Sequence, residues 1–251
     1  MEAHEYQTLF EMESSFWWFR ALHLTLLDAM RQLGVDSRAM VLDAGCGTGQ
    51  NLSNVHEGLS PNIYGFDVSQ DASHFWKKRS LDRVCLASVN EIPFQSDTFD
   101  VVMSVDVLEC GAVFPEKAYS EMLRVLKPGG HVIMIVPAYD WLMTPEHHKA
   151  VGAVRRYSRS SLQALLTQPQ AKIVRMTHFF GLLLPLVAVY RLALRYFGNK
   201  HNEIPRSELK PVHPLVNSLL FNVVNLERLY VRKHRMPFGS SIMAVVRKAG
   251  E

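Results

Sequence analysis

The stretch VLDAGCGTGQN, residues 41–51, decides the fold, because a short apolar run is followed by an acid and then by three alternating glycines. Glycines after a strand let the backbone turn tightly and approach a ligand. The spacing of Gly45, Gly47 and Gly49 departs from the G-x-G-x-x-G of dinucleotide sites, and the turn has no phosphate-loop lysine. Asp43, at the end of the apolar run, is unfavourable beside a phosphate and favourable beside a cation. The turn therefore predicts a ligand that carries positive charge.

From residue 40 onward, short apolar runs alternate with helix-like stretches, which is typical of a parallel sheet covered by helices on both faces. The predicted strands are MVLDAG from residue 40, NIYGFDVS from 62, VCLAS from 84, FDVVMSVDVLE from 99, HVIMIVPA from 131, AKIVRMTHF from 171 and SSIMAVVRK from 240. We interpret KPGG, residues 127–130, as a turn and residues 140–158 as a loop. The serines at 158–161 predict the start of a helix.

Three further helical regions flank this pattern. Residues 1–38 are helical and polar, with an aromatic cluster at residues 16–19, and are interpreted as an N-terminal helical lid. Residues 180–197 are apolar nearly all round, with Pro185 inside the predicted helix, and SLLFNVVNLERLYVRK from residue 218 predicts another. Residues 198–214 are interpreted as a loop. The expected division is a lid, 1–38, and a main domain, 39–251, with a helical insertion at about 180–235.

Composition predicts one sizeable folded core in a cytoplasmic protein. The chain has 251 residues and is 48% hydrophobic, and we find no signal peptide and no apolar run long enough to span a bilayer. Three cysteines at no metal-like spacing indicate reduced thiols and no metal site. The chain has 27 Lys and Arg residues and 24 Asp and Glu residues, and they are unevenly distributed. Residues 1–148 contain 10 basic and 20 acidic residues, whereas residues 149–251 contain 17 basic and 4 acidic residues. The basic C-terminal part indicates an anionic partner or a solvated basic face.

Four motifs in order give this chain a resemblance to a known family. D-x-G-x-G-x-G at 43–49, an acid at 67, FDVV at 99–102 and LKPGG at 126–130 resemble those of class I S-adenosylmethionine-dependent methyltransferases. The cofactor suits the turn, since it has an ammonium, a sulfonium and no phosphate. The resemblance implies an α/β, Rossmann-like, seven-stranded, mostly parallel sheet with helices on both faces, an antiparallel last strand and helical cap insertions.

The resemblance also implies a set of cofactor-binding residues. Gly45 and Gly47 would admit the methionine moiety, Asp43 would face its ammonium, and Asp67 would accept both ribose hydroxyls. Val68 would pack on the adenine, the backbone near Val105 would accept from the ammonium, and Arg20 would contact the methionine carboxylate. Relatives often have an Asp that accepts from the adenine amino group, and the matching positions here are Ser88, Val89 and Asn90. Ser88 or Asn90 would be a neutral acceptor in place of that carboxylate. For Arg20, an ordinary surface position is the alternative.

Candidate catalytic residues lie in the segment after the fifth strand. His147 or His148 could act as a base for an acceptor hydroxyl or amine, or both could be solvated loop residues. Arg155, Arg156 and Tyr157 could bind an anionic group of the acceptor, or dock the loop on the acidic N-terminal half. Many relatives have a His where this chain has Cys110, which we interpret as a buried small residue because Asp106 and Glu109 nearby would raise its pKa.

The sequence thus predicts a methyltransferase that acts on a small-molecule or lipid-like acceptor. The basic C-terminal part leaves open an acceptor that is anionic. The apolar helix at 180–197, with Arg191 and Arg195, is interpreted either as a buried cap or as a segment in contact with the inner face of a membrane. Two alternatives remain: an enzyme of the same fold that uses the cofactor for non-methyl chemistry such as intramolecular cyclisation, or a non-catalytic, membrane-associated cofactor-binding protein. No nucleic-acid partner is expected, since aromatic residues do not alternate with the basic ones. The sequence does not predict an oligomeric state.

Overall fold

A computed structural model describes residues 1–197 and 209–250, except for the side chains of residues 146, 147 and 195–197. Within that part, seven strands form one sheet in the order β3-β2-β1-β4-β5-β7-β6. The strands are β1 Val41–Ala44, β2 Ile63–Asp67, β3 Val84–Leu86, β4 Phe99–Val105, β5 Leu126–Pro137, β6 Ala171–Phe179 and β7 Ser241–Lys248. Each of the seven predicted strands is present.

Helices connect the strands and flank the sheet. They are α1 Ala3–Met12, α2 Trp17–Gln32, α3 Gln50–Gly58, α4 Gln70–Lys78, α5 Pro115–Val125, α6 Pro145–Val151, α7 Arg159–Leu166, α8 Leu184–Phe197 and α9 Pro214–Val231, with a short 3-10 helix at Asp140–Leu142. The helix predicted after the serines is confirmed, because Ser158 caps α7 and its side chain and that of Ser161 form a reciprocal capping box.

The pairing of the strands confirms the predicted fold class, a Rossmann-like and mostly parallel sheet. β3, β2, β1, β4 and β5 pair in parallel, and β7 pairs antiparallel with both β5 and β6. β1 lies between β2 and β4, so the strand order reverses beside it. In sheets of this kind the ligand crevice lies at that point, outside the carboxyl ends of the strands. The glycine turn directly follows β1 and therefore lies at the crevice.

Alternating side chains of the central strands supply two separate cores. Leu42 on β1 and Val102 on β4 belong to the core that α5 and α7 cover, whereas Val41 and Val101 belong to the core that α2 and α9 cover. Successive residues of a strand point to opposite faces, so a strand that is buried on both faces is apolar throughout. This double burial explains the uninterrupted apolar run at the start of the deciding stretch.

The interpretation of KPGG as a turn is wrong, since these residues lie inside β5. Leu126 pairs with Phe99 and His131 pairs with Val101, so the extra residues of β5 are absorbed as a bulge. Gly129 has a φ of +80°, and a Cβ atom on Gly130 would lie 2.9 Å from the backbone oxygen of Asp100. The two glycines mark a bulge and a close backbone approach, and the strand continues past them.

The interpretation of residues 140–158 as a loop is also wrong. The segment contains the 3-10 helix and α6, which begins at Pro145 and is followed by Gly152 with a φ of +71°. A helix of seven residues is too short for hydrophobic periodicity to identify. His148 therefore lies on a helix, and His147 does too, although its side chain is outside the described residues.

The apolar helix differs from its prediction in two ways. It begins at Leu184, with Pro185 in its first turn, where proline is tolerated, and Phe180 before it has a φ of +60°. No described side chain of α8 is buried, which contradicts the buried-cap interpretation. α8 and α9 lie between β6 and β7 in the chain, within the predicted insertion. The loop predicted at 198–214 falls mostly outside the described residues, and the division into lid and main domain stays a prediction.

Candidate functional site

The glycine turn after β1 brings the backbone of β1 to the end of β2. Gly45, Gly47 and Gly49 all have positive φ angles, of +92°, +53° and +89°. A Cβ atom on Gly45 would lie 2.5 Å from Cγ2 of Val107, so this position cannot accept a side chain without displacing the segment after β4. The Gly47 N–H donates to Oδ2 of Asp67 at 2.9 Å. The turn and the acid that the sequence singled out are therefore in direct contact.

Asp43 is a buried acid that lacks a partner for one oxygen. Its side chain is 1% exposed, and Oδ2 accepts no hydrogen bond from any residue that the structure describes. Burial raises its pKa well above the usual range, and the nearby charge of Asp67 raises it further. An unsatisfied buried oxygen is costly unless a donor reaches it. A cationic donor in the crevice would satisfy this atom and favour its ionised form, which fits the ammonium of the implied cofactor.

Asp67 is held in place by the backbone. Oδ1 accepts from the Ser69 N–H at 2.9 Å, while Oδ2 accepts from Gly47. Burial raises the pKa of Asp67, and these backbone hydrogen bonds oppose that rise. A carboxylate has about four acceptor positions, so two remain for a ligand diol. Val68, the next residue, is 71% exposed, and its apolar side chain is available to pack on a planar ring.

The residues after β3 differ in whether their side chains have a free acceptor for a ligand. The Asn90 side chain donates to the Ala112 carbonyl at 2.8 Å and accepts from the Phe114 N–H at 2.9 Å. These bonds use the amide to hold the segment after β4, which argues against Asn90 as the adenine acceptor. In the described part of the chain, the Ser88 hydroxyl accepts only the Asn90 N–H, at 3.2 Å. Val89 is buried, and Val105 ends β4 beside Ile135 of β5.

The Arg20 side chain lies against α9. Its guanidinium carbon lies 3.9 Å from the ring centroid of Phe221 on α9, a cation–π contact. This contact links α2 to α9 and argues against the predicted contact with the methionine carboxylate, which stays a prediction. A basic residue on an amphipathic helix offers no sequence signal that separates these two roles.

A buried ion pair that sequence reasoning missed connects the N-terminal helices to the glycine turn. The Glu13 carboxylate, just after α1, accepts from the hydroxyl of Thr48 and from the guanidinium of Arg79. Arg79 also donates to the Thr48 carbonyl at 3.1 Å, and Trp76 Nε1 donates to the Gly47 carbonyl at 2.8 Å. The turn is thus fixed from both sides. Glu13 and Arg79 are 66 residues apart in the chain, so no local sequence pattern could reveal the cluster.

Two acids at the end of β4 were also missed as candidate catalytic groups. Asp106 has a φ of +52° and keeps partial access to solvent, although dense packing around it raises its pKa to about 7, with Arg156 opposing the rise. Glu109 is buried, and its Oε2 has no hydrogen-bond partner among the described residues. Non-glycine residues with positive φ are concentrated at functional sites. The signal was available in VDVLE, where two acids follow a buried strand at the crevice.

Cys110 is the small, largely enclosed residue that the sequence analysis expected. Burial raises the pKa of its thiol to about 12, and the charge of Glu109 contributes to the shift. A thiol of this kind is a poor nucleophile or base at neutral pH. Among the described residues, no group of three or more His, Cys, Asp and Glu side chains could hold a metal ion.

Tyr157 holds the segment after β4. Its hydroxyl donates to the Leu108 carbonyl at 3.1 Å, and burial raises its pKa to about 12. Arg155 donates to the carbonyls of Leu108, Cys110 and Val113 in the same segment. These contacts argue against a catalytic role for Tyr157 and against an anion-binding role for Arg155. They favour the docking alternative, since both side chains position the residues beside the crevice.

Aromatic side chains line the same edge of the sheet. Phe180 follows β6, stacks on Trp18 at 5.5 Å between ring centroids and meets the edge of Trp17 at 6.0 Å. Tyr139 follows β5 and stacks on His178 at 5.7 Å. Because β5 and β6 run in the same direction, their ends meet at the edge where the glycine turn lies. We call Trp17, Trp18, Tyr139 and Phe180 the aromatic wall. It is apolar and suits a hydrophobic acceptor.

Comparison with known proteins places this arrangement in a wider context. Residues 42–134 match a protein family described as "Methyltransferase domain". The chain is 28% identical over 128 residues to "Sterol 24-C-methyltransferase erg6" of Schizosaccharomyces pombe, a match that covers 48% of this chain and 32% of that protein. The chain spans about a third of the length of the curated relatives it matches.

Two solved structures share the fold across most of the chain. One is the complex of the Haloferax volcanii Trm112 methyltransferase activator with a methyltransferase, with a TM-score of 0.61, 18% identity and coverage of 92% of this chain and 91% of that one. The other is geranyl diphosphate C-methyltransferase from Streptomyces coelicolor A3(2), with a TM-score of 0.55, 15% identity and coverage of 86% and 71%. At these identities the likeness establishes the fold.

Proposed function

We propose that this chain, whose residues 42–134 match a family described as "Methyltransferase domain", is a class I S-adenosylmethionine-dependent enzyme that methylates a small, lipid-like molecule. The observation that carries the proposal is the buried, unsatisfied Oδ2 of Asp43 beside the glycine turn, with Asp67 fixed next to it. A crevice with two acids and no basic side chain on its glycine turn is adapted to a cationic cofactor with a ribose.

In this proposal each cofactor-binding residue would have its own role. Asp43 would pair with the ammonium, Gly45 and Gly47 would let the amino acid moiety approach the backbone, Asp67 would accept the ribose hydroxyls, and Val68 would pack on the adenine. When bound, S-adenosylmethionine supplies a methyl group on a positively charged sulfur. The chain's main contribution to transfer is to align the acceptor with that methyl group and to exclude water.

The lipid-like character of the acceptor is supported by the aromatic wall of Trp17, Trp18, Tyr139 and Phe180. It is also supported by the names of similar proteins, a sterol methyltransferase and a geranyl diphosphate methyltransferase. The basic residues of the C-terminal part favour an acceptor with an anionic group and peripheral contact with an anionic membrane face. In the described helices, none has the length and apolarity to cross a membrane.

Asp106 is the best placed base for an acceptor hydroxyl or amine. It directly follows the carboxyl end of β4, is half-buried, and its pKa of about 7 lets it take a proton near neutral pH. His148 on α6 stays a candidate, since its Nδ1 has no partner among the described residues. The prediction for His147 also stays open.

Methyl transfer can be tested directly with cofactor labelled in the methyl group. The purified chain is incubated with a lipid extract, and label in the organic phase is identified by mass analysis. We expect a product heavier by one methyl group, and no label transfer with Asp43→Asn. Products of unchanged mass would support the alternative of non-methyl chemistry, and an absence of any product together with intact cofactor binding would contradict an enzymatic role.

A further inference from the structure

Two helices expose apolar side chains where a water-soluble surface normally exposes polar ones. On α8, Leu186, Val189, Tyr190 and Ala193 are exposed at the i, i+3, i+4, i+7 spacing of one helix face. On α9, the exposed side chains include four leucines at similar spacing, Leu215, Leu219, Leu226 and Leu229. We call these eight residues the α8–α9 apolar surface. Exposed apolar residues along one face of a helix indicate an interaction site.

α9 is fixed to the main core and to the residues just before α8. The Glu227 carboxylate on α9 accepts from the N–H groups of Gly181, at 3.0 Å, and Leu182, at 2.7 Å, just before α8. One face of α9 packs on α2 and buries Val224 and Val231. α9 therefore already has an inner face, and its exposed leucines lie on the opposite, outward face.

The residues that follow the exposed leucines of α9 in the chain are basic. Lys233 and Arg235 follow α9 and are exposed, as is Arg232 at its end. Between residues 209 and 250 the sequence has a single acid, Glu227, and it is buried under α8. A second copy of this chain would bring a basic surface against an equally basic one, which is unfavourable. An anionic surface, in contrast, complements both the apolar residues and the charge.

We propose that the α8–α9 apolar surface docks on an anionic lipid bilayer, with its leucines in the acyl boundary and Lys233 and Arg235 at the headgroups. Tyr190 and Tyr230, both exposed, have the apolar ring and polar tip that favour this interface. Basic residues near an anionic leaflet and apolar side chains within it contribute separately to such binding.

Docking in this way would present the membrane to the aromatic wall. α8 begins four residues after Phe180, on which Trp18 stacks, and Arg191 of α8 donates to the Leu142 carbonyl at 3.0 Å. Arg191 thus ties α8 to the segment beside the crevice, which replaces the headgroup role expected for it. The proposal rests on the proposed function in taking the bilayer as the source of the acceptor. Vesicle binding is measured without cofactor, so its failure would leave S-adenosylmethionine binding unaffected.

The test is co-sedimentation with vesicles of phosphatidylglycerol and phosphatidylcholine, compared with phosphatidylcholine alone. Leu219→Gln with Leu226→Gln should weaken partition into the anionic vesicles at least about tenfold. Lys233→Gln with Arg235→Gln should also weaken it about tenfold or more, and raised salt should reproduce that loss. Matched controls are Phe114→Gln, whose 65% exposure resembles the 64% of Leu219 and 66% of Leu226, and Lys77→Gln with Lys172→Gln. The controls should bind as the parent does.

Two results would overturn the proposal. One is a parent chain that ignores anionic vesicles, or whose binding the α8–α9 substitutions leave unchanged while circular dichroism shows that they fold. The other is sedimentation velocity that shows a lipid-free dimer, which Leu219→Gln with Leu226→Gln converts to a monomer. In that case the surface would be an interface between copies of the chain.

Discussion

Asp67 is the residue on which cofactor affinity should depend most clearly, because two backbone N–H groups orient its carboxylate towards the crevice. Asp67→Ala should weaken S-adenosylmethionine binding by about 1.5–3 kcal/mol, as expected for a lost charge-assisted hydrogen bond. Isothermal calorimetry measures the change. Asp82→Ala, at an exposed acid, is the control and should bind normally. Unchanged affinity of Asp67→Ala would refute the role assigned to the end of β2.

Asp106 should determine the pH dependence of turnover. Packing raises its pKa to about 7, so the ionised form that accepts a proton is depleted below neutral pH and predominates above it. The rate should therefore rise with pH through about 7. Asp106→Asn should lower kcat about 100-fold or more and remove this rise, with cofactor affinity retained. If the variant keeps the same pH profile, the titrating group is another residue, and His148→Gln is the next variant to measure.

At the scale of elements, the N-terminal helices and the glycine turn are held together by one buried cluster. Glu13 follows α1 and accepts from Thr48 and Arg79, whose side chains are both largely buried. Glu13→Ala leaves the Arg79 guanidinium buried without its partner, which should lower the free energy of unfolding by about 3 kcal/mol. Urea denaturation gives the value. Glu11→Ala, in the same segment but exposed, should change it little, and equal losses in the two variants would contradict the cluster's role.

The segment after β5 has a comparable role on the acceptor side. Arg155 and Tyr157 donate to backbone carbonyls of the segment after β4, so the position of Asp106 depends on residues 50 positions later in the chain. The basic and aromatic side chains that the sequence suggested for anion binding and catalysis are used here for positioning.

At the scale of the whole molecule, cofactor binding should stabilise the folded chain selectively. At a concentration about 100 times its Kd, a ligand that binds only the folded state adds about 2.7 kcal/mol, or several degrees in Tm for a domain of this size. Thermal shift should therefore respond to S-adenosylmethionine and S-adenosylhomocysteine. NAD and ATP should have no effect, because Asp43 and Asp67 oppose phosphate at the turn. A response to NAD alone would overturn the interpretation of the crevice.

The amino-acid sequence by itself determined the seven-stranded sheet, the position of β1, and the acids at the carboxyl ends of β1 and β2. These features depend on local patterns: alternation of strands and helices, glycines after β1, and Asp43 and Asp67 at strand ends. The sequence could not determine that KPGG is a bulge inside β5, because a glycine pair is compatible with a turn or a bulge until the neighbouring strand is in place.

Only the tertiary structure decided which side chains meet. In it, Glu13 pairs with Arg79 and Arg20 contacts the Phe221 ring. The Tyr157 hydroxyl donates to the Leu108 carbonyl. It also left the outward faces of α8 and α9 apolar and exposed. The physical reason is that such contacts depend on burial and distance between residues far apart in the chain, whereas the strands and the glycine turn follow from the preferences of neighbouring residues.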